Sequence, residues 1–141
     1  MGPLDLSGLP EGALLLVDTA PIIYWLEDSP AFAQRFAPLF ELHAKGGVSF
    51  AVTTITIAEV LTGPLQHGDD ALARRYRVVL ESWRVVELSA GIAEDAVRLR
   101  ARLGLKLADA MQAASAPAIN ADALVTHDRD VQRLDGLRVL S

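Results

Sequence analysis

The chain has 141 residues, of which 51% are hydrophobic and 22% are charged, and its formal net charge is −5. This composition is typical of a globular protein and excludes a disordered chain, and no apolar run approaches the ~18 residues that a membrane-spanning helix needs. There is no cysteine, which excludes disulfides and thiolate metal sites, so any metal ligand must be oxygen or histidine.

The length suits a single domain over residues 1–141, with an irregular N-terminal segment at 1–12. That segment has no basic region before an apolar core, so it does not read as a secretory signal, and we expect a cytoplasmic protein that does not contact a membrane. Proteins that bind nucleic acid over much of their surface are usually basic. A nucleic-acid role would therefore need a local basic patch, or a divalent metal that offsets the acidic groups.

Five short apolar runs are predicted to be strands. The first, ALLLVD, is continuously apolar, which is typical of a central parallel strand buried on both faces. The predicted strands cover residues 13–18, 48–53, 84–88, 122–126 and 137–140.

Segments with helical spacing lie between these strands. Their predicted ranges are 31–45, 57–63, 69–83, 91–104 and 106–116, with a short helix after the fourth strand. Ser29 and Ser89 are expected N-caps, as is either Thr54 or Thr56. Pro38 is a candidate point for a split or a kink.

This alternation predicts an α/β fold with a five-stranded, mainly parallel sheet and helices on both faces. In such sheets, ligands bind at the carboxyl ends of the strands. Asp18 and the residues after Thr126 are therefore expected at the same edge.

Acidic residues occupy strand ends or apolar helical segments, where charged side chains are unusual. They are Asp18, Glu59, Asp109, Asp128 and Asp130. Clustered carboxylates repel one another unless a cation joins them, and an oxygen-only cluster suits Mg²⁺ or Mn²⁺. Three of these acids also have a structural alternative: Asp18 and Asp128 could cap helices, and Glu59 could satisfy a helix dipole.

Four segments in order, LLLVDTAPIIYWLE, TTITIAEVLTG, LGLKLADAMQAA and ALVTHDRDVQRLDGLRVL, resemble a PIN domain, most closely the small VapC-type toxin ribonucleases. They cover the chain from Leu14 to its end. The family often has Asn where His127 stands and Phe where Val131 stands, and Pro117 interrupts what is commonly a longer helix. These departures leave the choice between Asp128 and Asp130 open.

The resemblance implies an acidic quartet that is both catalytic and metal-binding, formed by Asp18, Glu59, Asp109 and Asp128. It implies supporting roles for Thr19, Thr126 and Asp130. It further implies a Mg²⁺- or Mn²⁺-dependent endoribonuclease, the toxin of a toxin–antitoxin pair, which forms a homodimer and is neutralised by a small antitoxin protein.

Three basic residues, Arg98, Arg102 and Lys106, could position RNA phosphates near Asp109, or could simply keep the surface soluble. One functional alternative is a PIN-fold module that holds metal or RNA without cutting it. Another is a receiver-like or phosphatase-like domain in which Asp18 accepts a phosphoryl group. The phosphatase form needs a second acid two residues on, and Ala20 counts against it.

Overall fold

A computed structural model describes residues 2–128, 131, 134 and 136–141. Its strands form one sheet in the order β3-β2-β1-β4-β5, and all four neighbouring pairs are parallel. The strands are β1 (Ala13–Val17), β2 (Val48–Thr53), β3 (Arg84–Val86), β4 (Ala123–Val125) and β5 (Val139–Leu140). The prediction of a five-stranded parallel α/β sheet is confirmed.

Six helices connect the strands within the described part of the chain. They are α1 (Thr19–Leu26), α2 (Pro30–Ala44), α3 (Thr54–Gln66), α4 (Asp70–Glu81), α5 (Ala90–Leu103) and α6 (Leu107–Ala118). Ser89 caps α5 through a bond from the Ile92 amide at 3.2 Å, and α5 stops at the left-handed Gly104. Of the helices described, none combines the length and the apolar character needed to traverse a bilayer.

The sheet is buried on both faces, which explains its continuous apolar strands. Leu15 and Val17 pack with residues of α1–α4, whereas Leu16, which points to the opposite face, packs with α5 and α6. All three side chains are fully buried. A Leu→Ala change at such a position costs about 2–5 kcal/mol.

The predicted cap of α3 is wrong. Neither Thr54 nor Thr56 caps this helix; the N-cap is Thr53, whose side-chain oxygen accepts from the Thr56 amide at 3.2 Å. The helix therefore begins as soon as β2 ends, and it continues beyond Gly63 to Gln66. This places Glu59 in the second turn of α3, above the carboxyl end of the sheet.

Pro38 and Pro117 do not end the helices that contain them. Pro38 lies within a continuous α2, whose Phe36, Leu39 and Phe40 are buried; we attribute the helix's persistence to this packing, which offsets the lost backbone bond. Pro117 is the penultimate residue of α6, where its missing amide removes only a terminal bond. The short helix expected after the fourth strand falls mostly outside the described residues.

The strand order reverses direction at β1, which has β2 on one side and β4 on the other. In open α/β sheets, such a switch point opens a crevice at the carboxyl ends of the two strands. The Asp18 amide donates to the Val125 carbonyl at 2.8 Å, and the Thr126 amide donates to Leu140 at 2.9 Å. These bonds extend the ladder past the strands and hold Asp18 beside Thr126.

Candidate metal centre

A cavity of about 380 Å³ lies at this crevice. Its lining comprises Asp18, Thr19, Ala20, Ile23, Glu59, Ala108, Asp109, His127 and Asp128. The four acids singled out in the sequence therefore face one space, although they come from the ends of β1 and β4 and from α3 and α6. Their catalytic and metal-binding roles stay predictions.

Asp18 is both a helix cap and a cavity residue. Its Oδ1 accepts from the Thr19 amide at 2.7 Å, and its Oδ2 accepts from the Thr126 hydroxyl at 2.8 Å. Burial raises the pKa of Asp18, the two hydrogen bonds oppose this rise, and the charges of Glu59 and Asp128 add to it. Capping and site membership, the two alternatives for this residue, are thus compatible.

Thr126 joins two of the acids. Its buried hydroxyl donates to Asp18 and accepts from the Asp128 amide at 3.0 Å. A single side chain therefore sets the separation between the residues that follow β1 and β4.

Asp109 lies in the first turn of α6 and is half-buried. Burial raises the pKa of Asp109 to about 7, together with a side-chain hydrogen bond to Asp128 and the charges of Asp128 and Asp18. The positive charge of Lys106 works in the opposite direction and lowers that pKa. Near neutral pH, the Asp109 carboxyl thus holds a proton for a substantial part of the time.

Glu59 is exposed at the cavity, but a hydrogen bond from a buried side chain orients its carboxylate. Its Oε1 accepts from the Thr19 hydroxyl at 3.0 Å, and Thr19 in turn contacts the Thr56 hydroxyl at 2.9 Å. Gln112 donates to Thr56 at 2.7 Å and accepts from Thr53 at 3.1 Å. Sequence reasoning missed Gln112, although a signal existed: it is the one amide in the apolar run ADAMQAASA.

His127 lines the same cavity, and aromatic rings pack against it. Its ring meets Phe32, Tyr24 and Phe36 edge to face, with centroid distances of 4.8, 5.8 and 6.2 Å. Of these partners, Phe36 is buried in the core. The packing holds the imidazole at the border of the acidic cluster.

The three basic candidates have different surroundings. Lys106 is next to Asp109 and influences its ionisation. Arg98 and Arg102 instead line a second cavity of about 430 Å³, with Ala114 and Pro117, between α5 and α6. Arg98 is also paired with Glu94 at 2.8 Å. Asp130, the predicted supporting acid, lies outside the described residues.

Among the residues that the structure describes, no three acidic or histidine side chains form a ready-made metal site. The donor chemistry nevertheless fits a hard divalent cation, because the acids around the cavity supply only oxygen. Burial is the main cause of the raised pKa values of Asp18 and Asp109, and the neighbouring negative charges, which a cation would offset, add to it. Binding would first require Asp109 to give up its proton and its bond to Asp128.

Several solved structures share this fold. A toxin–antitoxin complex from Klebsiella pneumoniae contains a chain 28% identical, with a TM-score of 0.69, and the match covers 90% of this chain and 96% of that one. For VapBC2 from Rickettsia felis, bound to a promoter DNA fragment, the identity is 20%, the TM-score 0.70, and the coverage 89% and 96%.

A third structure is VapC20 from Mycobacterium tuberculosis, described as a toxin that cleaves the sarcin–ricin loop. It is 18% identical, with a TM-score of 0.66 and coverage of 84% and 92%.

A comparison of the sequence with curated proteins finds no match. The family model for the PIN domain, however, matches residues 15–137. This match covers most of β1, all of β2, β3 and β4, and every acid of the cavity, and the chain therefore belongs to the PIN domain family.

Proposed function

We propose that this chain is a divalent-metal-dependent endoribonuclease and the toxin of a toxin–antitoxin pair. The observation that carries the proposal is the convergence of Asp18, Glu59, Asp109 and Asp128 on one cavity at the switch point of the sheet. PIN family membership supports it, as does the likeness to the Klebsiella pneumoniae toxin–antitoxin complex.

We assign each acid a role in this proposal. Asp18, Asp109 and Asp128 would hold the ion, and Glu59 would bind a second ion or position the attacking water. A bound Mg²⁺ or Mn²⁺ supplies polarisation of the scissile phosphate and a more acidic water. Thr126 keeps Asp18 and Asp128 at a fixed separation, and Thr19 orients Glu59.

Electrostatics explains how an acidic protein could bind RNA at this cavity. The carboxylates repel a phosphodiester, and offsetting their charge would remove that barrier. Lys106 stands beside Asp109 and supplies a fixed positive charge at the same edge. Arg98 and Arg102 would extend the RNA contact along α5.

We extend the proposal to a homodimer neutralised by a small antitoxin protein.

The direct test is RNA cleavage by the purified protein with Mg²⁺ or Mn²⁺, with and without a chelator. Asp18→Asn should lower the rate by orders of magnitude, because it weakens one ligand of the ion that stabilises the developing charge. The matched control is Asp122→Asn, since Asp122 lies at the opposite end of β4 and bonds the Leu14 amide. Metal-independent cleavage, or full activity of Asp18→Asn, would contradict the proposal.

A metal-binding protein that cuts no RNA is the outcome expected of a non-catalytic PIN module. Because ribonuclease toxins can be selective, the substrate panel must include total cellular RNA as well as short oligonucleotides. Cleavage of any component that requires metal and Asp18 supports the enzyme.

A further inference from the structure

The hydrogen bonds behind Glu59 form a continuous chain, which we call the amide relay: Thr53, Gln112, Thr56, Thr19 and Glu59. Its four bonds are between 2.7 and 3.1 Å long. Every member except Glu59 is buried. The relay starts at the junction of β2 and α3, passes through α6, and ends on an acid of the cavity.

The donors and acceptors of the relay have only one consistent direction. The Thr19 hydroxyl has a single proton and gives it to Glu59, so Thr19 must accept from Thr56. The Thr56 proton is then used, and Thr56 must accept from the Gln112 amide nitrogen. This orients the Gln112 carbonyl toward Thr53, whose hydroxyl already accepts from the Thr56 amide.

A buried amide among alanines is costly unless its polar atoms are bonded. Gln112 meets this requirement with both ends of its amide, and across the described residues every buried side-chain nitrogen or oxygen has a hydrogen-bond partner. A purely structural role for Gln112 would consist of its hydrogen bonds to Thr53 and Thr56. The relay, however, continues for two more bonds and ends on the cavity acid, and bonds in such chains strengthen one another.

We propose that Gln112 is a positioning residue for the metal centre, which orients the Glu59 carboxylate through Thr56 and Thr19. The inference rests on the proposed function, because it assigns Glu59 to the ion or its water. Gln112 follows Asp109 by three residues and thus shares its face of α6. One turn of α6 would then place Asp109 at the cavity and, through Gln112 and the two threonines, orient Glu59.

The test is the Mn²⁺ dissociation constant, measured isothermally on folded protein, for the parent and Gln112→Met. Methionine has a similar size but neither donates nor accepts strongly, so it ends the relay without opening a large cavity. Loss of an outer-shell partner typically weakens metal affinity 10–100-fold, and we expect about tenfold here because Glu59 is reached through two other residues. A loss of stability alone would change the melting temperature but not this constant.

Ser115→Ala is the matched control. Ser115 is buried on the same helix one turn further on, and its hydroxyl donates to the Met111 carbonyl at 2.7 Å. Its Mn²⁺ constant should equal the parent's. If the Mn²⁺ dissociation constant of Gln112→Met also equals the parent's, the relay inference fails while the metal centre stands. If the parent itself binds no Mn²⁺, the metal centre fails and the relay has no function.

A second pair of variants serves if Gln112→Met does not fold. Thr56→Val interrupts the relay with an isosteric side chain, whereas Thr56→Ser keeps the hydroxyl. We expect weakened Mn²⁺ binding in the valine variant and parental binding in the serine variant. Equal binding by the two would overturn the inference.

Discussion

Asp109 at the start of α6 lies beside Asp128 after β4, within reach of a hydrogen bond between their carboxyl groups. Such a bond requires a proton on one of the two carboxyl groups, and burial, together with the acidic neighbours, raises the pKa of Asp109 to about 7. A proton held by this pair offsets part of the negative charge of the cavity.

The first prediction concerns the stability of the metal-free protein. The pKa of Asp109 is about 7 in the folded state and about 4 when unfolded, so the folded protein binds more protons between these values. The free energy of unfolding should then fall as pH rises from about 4 to 7. Asp109→Asn cannot ionise and should melt like the parent near pH 4 but a few degrees higher above pH 7. Thermal melts in chelator at several pH values would measure this difference, and a lower melting temperature at pH 8 would mark Asp109 as structural.

The second prediction concerns metal affinity and pH. A cation must displace the Asp109 proton, so Mn²⁺ affinity should rise by up to about tenfold per pH unit below 7 and level off above it. Calorimetric titrations in buffers of different ionisation enthalpy would count the protons released. A Mn²⁺ affinity that does not change between pH 5.5 and 8 would show that Asp109 is not a ligand.

The third prediction concerns Thr126, which bridges Asp18 and Asp128. Thr126→Val should destabilise the protein by about 1–3 kcal/mol, because it leaves polar partners unpaired. It should also weaken Mn²⁺ binding about 10–100-fold. Thr126→Ser retains the hydroxyl and is the matched control. Chemical denaturation and Mn²⁺ titration of both variants would separate the two effects, and equal Mn²⁺ affinities would contradict the bridging role.

The fourth prediction concerns Lys106. Removing its charge in Lys106→Ala should raise the pKa of Asp109 further, because Lys106 now lowers it. The pH at which Mn²⁺ affinity levels off should therefore move upward. Lys106→Ala should also reduce the salt dependence of RNA binding by about one counterion.

Lys45→Ala is the control for Lys106, since Lys45 lies beyond the end of α2, before the amino end of β2. Arg102→Ala should weaken RNA binding without moving the pH profile of Mn²⁺ affinity, because Arg102 lies in the cavity between α5 and α6. Identical pH profiles for Lys106→Ala and Lys45→Ala would contradict the assigned electrostatic role.

The sequence predicted the sheet and its acidic edge because both depend on local patterns. A continuously apolar strand followed by Asp18 indicates a buried strand and a polar end wherever it occurs. Carboxylates such as Glu59 and Asp109 stand out against apolar neighbours. Parallel topology then implies one shared edge, and the structure brings these acids to one cavity.

The amide relay could not be predicted in the same way, because it depends on tertiary contacts. Gln112 is 59 residues from Thr53 and 56 from Thr56, and nothing near it in the chain indicates which hydroxyls it meets. The N-cap of α3 was predicted wrongly because Thr53, Thr54 and Thr56 all carry the required hydroxyl. The cap is Thr53 because β2 ends at that residue and α3 begins directly after it. The separation of Arg98 and Arg102 from the acidic cavity likewise follows from how α5 packs on α6.

The most direct test of the ribonuclease proposal is to induce the chain in cells and sequence the RNA ends, in parallel with Asp109→Asn. The chain should arrest growth and produce new RNA ends at defined sites, whereas Asp109→Asn, expressed at the same level, should produce neither. Identical growth and identical RNA ends from the two proteins would contradict the account and favour a PIN module that binds without cutting.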